Sequence, residues 1–199
     1  SLYNPYVFRR GKEGVKGEEV PRQFLAVLSA GGRAAYEDGS GRLGLAKDIA
    51  SKNNPLTARI MVNRVWMHHF GQAIVGTPSD FGSQGSKPTH PELLDYLAYE
   101  FMEEGWSVKR LHKRIMLSSA YLQSSFESPE GMEIDPENRL LWHHQRRRLD
   151  FEAMRDTMLL AADNLDPTMG GHSVDISKEP FPNRRTVYAE VDRQDLPAV

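Results

Sequence analysis

Seven histidines, a Ser-Asp pair beside a phenylalanine, and two groups of arginines are the residues of this 199-residue chain that could do chemistry. His68-His69 and His143-His144 are adjacent pairs. Neighbours on a helix point about 100° apart, so neither pair can offer two ligands to one ion. The i, i+4 histidine spacing of a zinc-binding helix is absent. A metal centre would have to join His68 or His69 to His90, Asp80 or His112 from separate elements. The expectation is therefore no metal site and no cofactor, with His112, on an apolar stripe, read as a hydrogen-bonded core residue.

The loop Gly76-Thr77-Pro78-Ser79-Asp80-Phe81-Gly82 places a hydroxyl, a carboxylate and an aromatic face together. A long connection between two capped helices usually has a reason. One reading is a hydrolase-type or carbohydrate-active site built from Asp80, His90 and the His68/His69 end of the preceding helix. The other, preferred here, is an Ω-loop in which Asp80 caps its own turn and Phe81 plugs into the core. Arg59, Asn63 and Arg64 lie on a helix expected to be buried, where a guanidinium has to be paired. They are read as a polar network with Asp80, Glu92 or Asp95, or else as the lining of a ligand cleft. Arg146, Arg147 and Arg148 could fork onto a carboxylate, sulfate or acidic sugar, or pair with Glu152 and Asp156. These six residues are the ligand-binding candidates. Trp66, Trp106 and Trp142 are spaced for core packing more than for a sugar platform.

The elements that must position these groups are mostly helical. Leu43, Ala46, Lys47 and Ala50 share a helical face, and Asn54-Pro55 starts a helix to Phe70 that Gly71 ends. Thr89 to Glu92 spells a capping box ahead of Leu94, Leu97, Ala98 and Phe101. Gly105 ends that helix and Ser107 caps the next. Asp135-Pro136 predicts a short helix through Leu140, Leu141 and Trp142. Asp150 caps a last one carrying Phe151, Met154, Met158, Ala161, Ala162 and Leu165. Tyr3 to Arg9 and Arg185 to Val191 read as strands. The fold class expected is mainly α: a compact bundle of about five helices with extended arms and a small two-stranded β element. Residues 1–40 read as an extended arm or linker, 41–171 as the helical core, and 172–199 as an extended, truncated C-terminal segment.

Composition excludes several classes. With 25 basic and 27 acidic residues there is no field to recruit nucleic acid or an anionic membrane. Zero cysteines rule out a disulfide scaffold, a thiol nucleophile and a c-type haem attachment within these residues. No apolar run approaches the ~20 residues of a membrane span, so no membrane insertion is expected.

Three motifs, Asn53-Asn54-Pro55-Leu56-Thr57-Ala58-Arg59-Ile60-Met61-Val62-Asn63-Arg64-Val65-Trp66-Met67-His68-His69-Phe70-Gly71, Thr77-Pro78-Ser79-Asp80-Phe81-Gly82 and Pro88-Thr89-His90-Pro91-Glu92-Leu93-Leu94, occur in that order. Together they resemble the planctomycete-type domain of unknown function found near the C-terminus of large, secreted proteins. The resemblance implies a cytochrome-c-like segment and a companion domain upstream as partners, and a secreted, periplasmic or cell-envelope location. It names no activity. The function expected is a non-catalytic interaction or structural module, with the hydrolase-type site as the alternative.

Overall fold

The structure, a computed structural model, describes residues 3–29 and 31–191. Seven α-helices are seen among them: α1 (Arg42–Ile49), α2 (Thr57–Phe70), α3 (Pro91–Glu103), α4 (Val108–Met116), α5 (Ser119–Leu122), α6 (Pro129–Ile134) and α7 (Phe151–Ala161). With one small antiparallel ribbon, the protein is mainly α. Its chain divides into two compact units, Ser1–Gln145 and Arg146–Val199.

The first unit is built around α2, α3 and α4. Asn54 turns the chain into α2: its Oδ1 accepts the Leu56 N–H, and its Nδ2 donates to the Ile49 carbonyl and the Thr57 hydroxyl. Gly71, left-handed at φ +82°, ends the helix with its N–H on the Met67 carbonyl. Ala58, Val62, Val65, Trp66 and Phe70 enter a core shared with Ile74, Val75, Leu94, Leu97, Ala98, Phe101, Leu111 and Ile115. The Trp66 and Phe70 rings stack with centroids 4.2 Å apart. Trp106 packs edge-on against Phe101, and Trp142 lies beside His143 with its Nε1–H on the Asp135 carbonyl. All three tryptophans thus serve packing.

The Thr89–Glu92 capping box does not form. His90 is the N-cap residue of α3 and no side chain caps the helix. Thr89 is drawn instead to the preceding loop, its N–H and its hydroxyl both donating to the Ile74 carbonyl. The helix expected at Asp135-Pro136 is also absent. Asn138 and Leu141 have positive φ, which breaks a helical run, and the Asp135 carboxylate accepts the N–H groups of Arg139 and Leu140. The helix in this region lies earlier, as α6, capped by Ser128. It rests on Trp142 because residue 131 has no side chain: a Cβ there would stand 2.5 Å from the indole ring. Gly131→Ala is expected to cost about 1–3 kcal/mol by overpacking. A urea melt showing no loss would mean that α6 lifts freely off the indole.

In the N-terminal arm, β1 (Tyr6–Phe8) pairs antiparallel with β2 (Lys16–Glu19), with Tyr6 opposite Glu19 and Phe8 opposite Lys16. The glycine-rich stretch over residues 11–17 turns the chain, and its Lys16 and Gly17 begin the second strand. Tyr36 ties the arm to α1. Its hydroxyl donates to Asp48 Oδ2 at 2.5 Å, and partial burial with this bond pushes the phenol up to about 12.

The second unit differs in kind. Among its described residues only Thr186 is buried, and Phe151, Met154 and Met158 of α7 stay exposed. The stripe expected to face a core does not, because this unit is held by polar contacts. Arg155 Nη1 donates to the Arg184 carbonyl and the Thr186 hydroxyl, and its Nη2 donates to the Pro182 carbonyl. Arg184 lies over the Tyr188 ring and donates to the carbonyls of Thr168, Gly170 and His172. No strand runs through the described part of Arg185–Val191. A 3-10 turn at Thr186–Tyr188 occupies it, with isolated bridges joining Asp166 to Arg184 and Val174 to Ala189. Asp192 and Arg193 onwards lie outside the described residues.

Candidate functional site

The loop after α2 is positioned from within the helix. Asn63, fully buried, donates from Nδ2 to the Val75 carbonyl (3.1 Å) and accepts the Val75 N–H on Oδ1 (2.8 Å). This amide-to-backbone pair fixes Ile74 and Val75 in the core before the chain leaves for the surface. Beyond it, the loop closes on itself. The Thr77 hydroxyl donates to the Asp80 carbonyl at 2.7 Å and accepts the Ser86 N–H at 2.9 Å. Asp80 Oδ1 accepts the Gly82 N–H at 2.8 Å. Gly85 passes so close that a Cβ would lie 2.2 Å from the Asp80 carbonyl oxygen. Phe81 packs against the core. This is a compact Ω-type loop that satisfies its own polar groups.

Asp80 and Ser79 are exposed, and no hydrogen bond or ion pair joins Asp80 to His90 among the described residues. The His90 Nδ1 lies 2.9 Å from the neighbouring Thr89 hydroxyl. His68 faces solvent, whereas His69 turns inward. There His69 Nε2 meets His112 Nδ1 of α4 at 2.6 Å, a hydrogen bond that links the two helices beside their shared core. The Tyr121 ring stands edge-on to His69 and to His144, and Phe70 closes the group. His144 Nδ1 is buried without a hydrogen-bond partner. The five-ring cluster was not legible in the sequence beyond His112 as a bonded core residue, because Tyr121 and His144 arrive from distant segments. Among the described residues, no three of His, Asp, Glu and Cys lie where they could hold a metal.

The arginine candidates separate. Arg59 is half-buried; its Nε meets Asp95 Oδ1 at 2.6 Å and its Nη1 donates to the Pro55 carbonyl. Arg64 is exposed, contrary to the expectation of burial, because only the Ala58–Val62–Val65–Trp66 face and Asn63 turn inward. A partly exposed pair such as Arg59–Asp95 contributes little, about 0–1 kcal/mol. Arg146, Arg147 and Arg148 are exposed at the start of the second unit.

Asp156, expected as a partner for those arginines, serves a different contact. Its Oδ1 accepts the N–H and hydroxyl of Thr186 at 2.7 and 2.6 Å, and Arg185 Nε lies 3.6 Å from its Oδ2. Partial burial alone would raise this carboxyl, but the Thr186 bonds and the nearby arginines outweigh it and hold the group below its ordinary value. A depressed carboxyl contributes stability that is present above its unfolded value, about 3.9, and lost as pH falls through the folded value. Acidification below about pH 4 is thus expected to loosen the α7–Thr186 contact. Asp156→Asn should flatten that acid dependence while keeping an acceptor for the Thr186 N–H. Amide exchange at Thr186 followed from pH 6 to pH 3 checks this, and equal acid sensitivity in both proteins would remove Asp156 as the cause.

Over residues 41–199 the chain matches the family PSD1, described as protein of unknown function (DUF1553). No curated protein and no solved structure matches it.

Proposed function

We propose that this chain, which belongs to the PSD1 family, is a non-catalytic interaction module of a larger secreted or periplasmic protein, working beside a cytochrome-c-like segment and a companion domain. The observation that carries the reading is how the candidate catalytic groups are used. Asp80 caps its own turn, Thr77 and Ser86 close the loop, Asn63 pins Val75, and His69 bonds His112. Groups arranged for chemistry converge on a place where a substrate atom could sit; these bond to the protein's own backbone or to one another.

The arm supports the same reading. Residues 1–40 precede the family match. Every residue of β1 is exposed, including Tyr6, Val7 and Phe8. A two-stranded ribbon showing apolar side chains is marginal in water unless something covers or extends it. The family match and the helical fold carry no activity, and the hydrolase alternative finds no converging site around Asp80 and His90.

Asp80→Ala separates the two readings through stability. A residue that holds its loop is expected to cost about 1 kcal/mol when its cap is removed. Catalytic carboxylates are commonly neutral or stabilising to remove, since function holds them in unfavourable surroundings. Equal or higher stability in the Asp80→Ala protein, by denaturant melt, would return Asp80 to the list of chemical groups.

A further inference from the structure

Charges in the first unit are spent unevenly. Lys52 meets Glu103, Arg59 meets Asp95, and Arg114 meets both Glu100 and Glu104. Lys109, Arg110 and Lys113 of α4 are exposed, with no carboxylate in ion-pair reach among the described residues. Lys109 and Lys113, four residues apart, share one helical face with Arg110 on its flank, all turned away from the buried Leu111 and Ile115. The stripe continues into Met116 and Leu117, the latter 65% exposed, and α4 carries no acidic residue.

The complement of that stripe lies on the same chain. Glu130, Glu133 and Glu137 are exposed and unpaired among the described residues. Phe126 and Ile134 flank them, 75% and 72% exposed. Glu130 and Glu133, three residues apart on α6, are neighbours on its surface with Ile134 beside them, Phe126 and Glu137 lie in the non-helical segments on either side, and Gly131 seats the helix on Trp142. The remaining acids of the segment are engaged: Asp135 in its turn, and Glu127 in a contact of its own. A solvated charge stripe needs no large apolar side chains at its end, yet both stripes carry them.

We propose that this face of α4 docks the 126–137 segment of a second copy of the chain. Lys109, Arg110 and Lys113 would face Glu130, Glu133 and Glu137, with Met116 and Leu117 covering Phe126 and Ile134. Opposite charges steer the two surfaces together and fix their register, and the apolar ends exclude water. The contact is independent of the arm, so it stands or falls separately from docking through β1.

Sedimentation of the whole 1–199 chain tests it at 0.1 M and 1 M salt, between which the screening length falls from about 10 Å to about 3 Å. The mass should rise with concentration at low salt and stay monomeric at high salt. Lys109→Glu/Lys113→Glu and Glu130→Lys/Glu133→Lys should each be monomeric at low salt with unchanged circular dichroism. Mixing the two should restore association to within about tenfold of the natural chain, because the reversed charges again face their opposites. Tyr6→Ser/Phe8→Ser should leave self-association intact. A natural chain that stays monomeric at low salt overturns the proposal, as does association that survives either charge reversal or fails to return on mixing. A monomeric chain that instead binds phosphatidylglycerol vesicles through Lys109 and Lys113 would assign the face to a lipid surface and equally overturn it.

Discussion

Trp66→Ala is expected to lower the unfolding free energy by about 3–5 kcal/mol, as truncation of a buried large aromatic does. The ring is 5% exposed, stacks on Phe70, and sits in the layer of α2 that α3 and α4 cover. Loss of the indole opens a space that rigid neighbours such as Leu97, Leu111 and Ile115 can only partly close. The effect should appear as a lower urea midpoint at unchanged slope. A loss under about 1 kcal/mol would place Trp66 at the surface, where a binding platform becomes the better account of it.

Asn63→Ala should cost nearly as much for a different reason. The side chain contributes little apolar area, but among the described residues it is the sole hydrogen-bond partner of both backbone groups of the buried Val75. Each buried group left without a partner costs about 1–3 kcal/mol, so losing both partners should cost about 2–6 kcal/mol. The damage should also be local: limited proteolysis within residues 76–86 should speed up while α3 stays protected. Asn63→Asp keeps the acceptor for the Val75 N–H but sets a carboxylate against its carbonyl, and should be at least as harmful at neutral pH. If Asn63→Ala melts like the natural chain, the loop is held by something other than this pair.

What the sequence showed, and what it hid, follows from the reach of each interaction. Asn54-Pro55, Gly71, Gly105 and Ser107 act on backbone groups within a few residues, and each marks a real boundary or turn. The core stripe of α3 is set by period, and Leu94, Leu97, Ala98 and Phe101 are all buried as expected. Thr89 carried a correct local motif that a longer-range bond to Ile74 overrode. Asn63 stood out as a polar residue on an apolar helix, but nothing near it named Val75 as its partner. The C-terminal residues were least legible. Arg155 and Arg184 bind backbone carbonyls, and a carbonyl is the same whatever residue bears it, so no residue pattern announces the contact. The His69–His112 bond was half visible: each was a candidate, but only the packing of α2 on α4 brings them within 2.6 Å.

The central claim, that this is an interaction module and not a catalyst, meets its most direct test in calorimetric titration of the 1–199 chain with the companion domain proposed to precede it. The account expects binding at micromolar affinity or better, weakened at least tenfold by Tyr6→Ser/Phe8→Ser and unchanged by Asp80→Asn/His90→Gln. Because those tyrosine and phenylalanine side chains are exposed, the serine variant should keep the fold of the first unit, which circular dichroism verifies. Absence of binding, or binding indifferent to the ribbon but lost with Asp80 and His90, would contradict it.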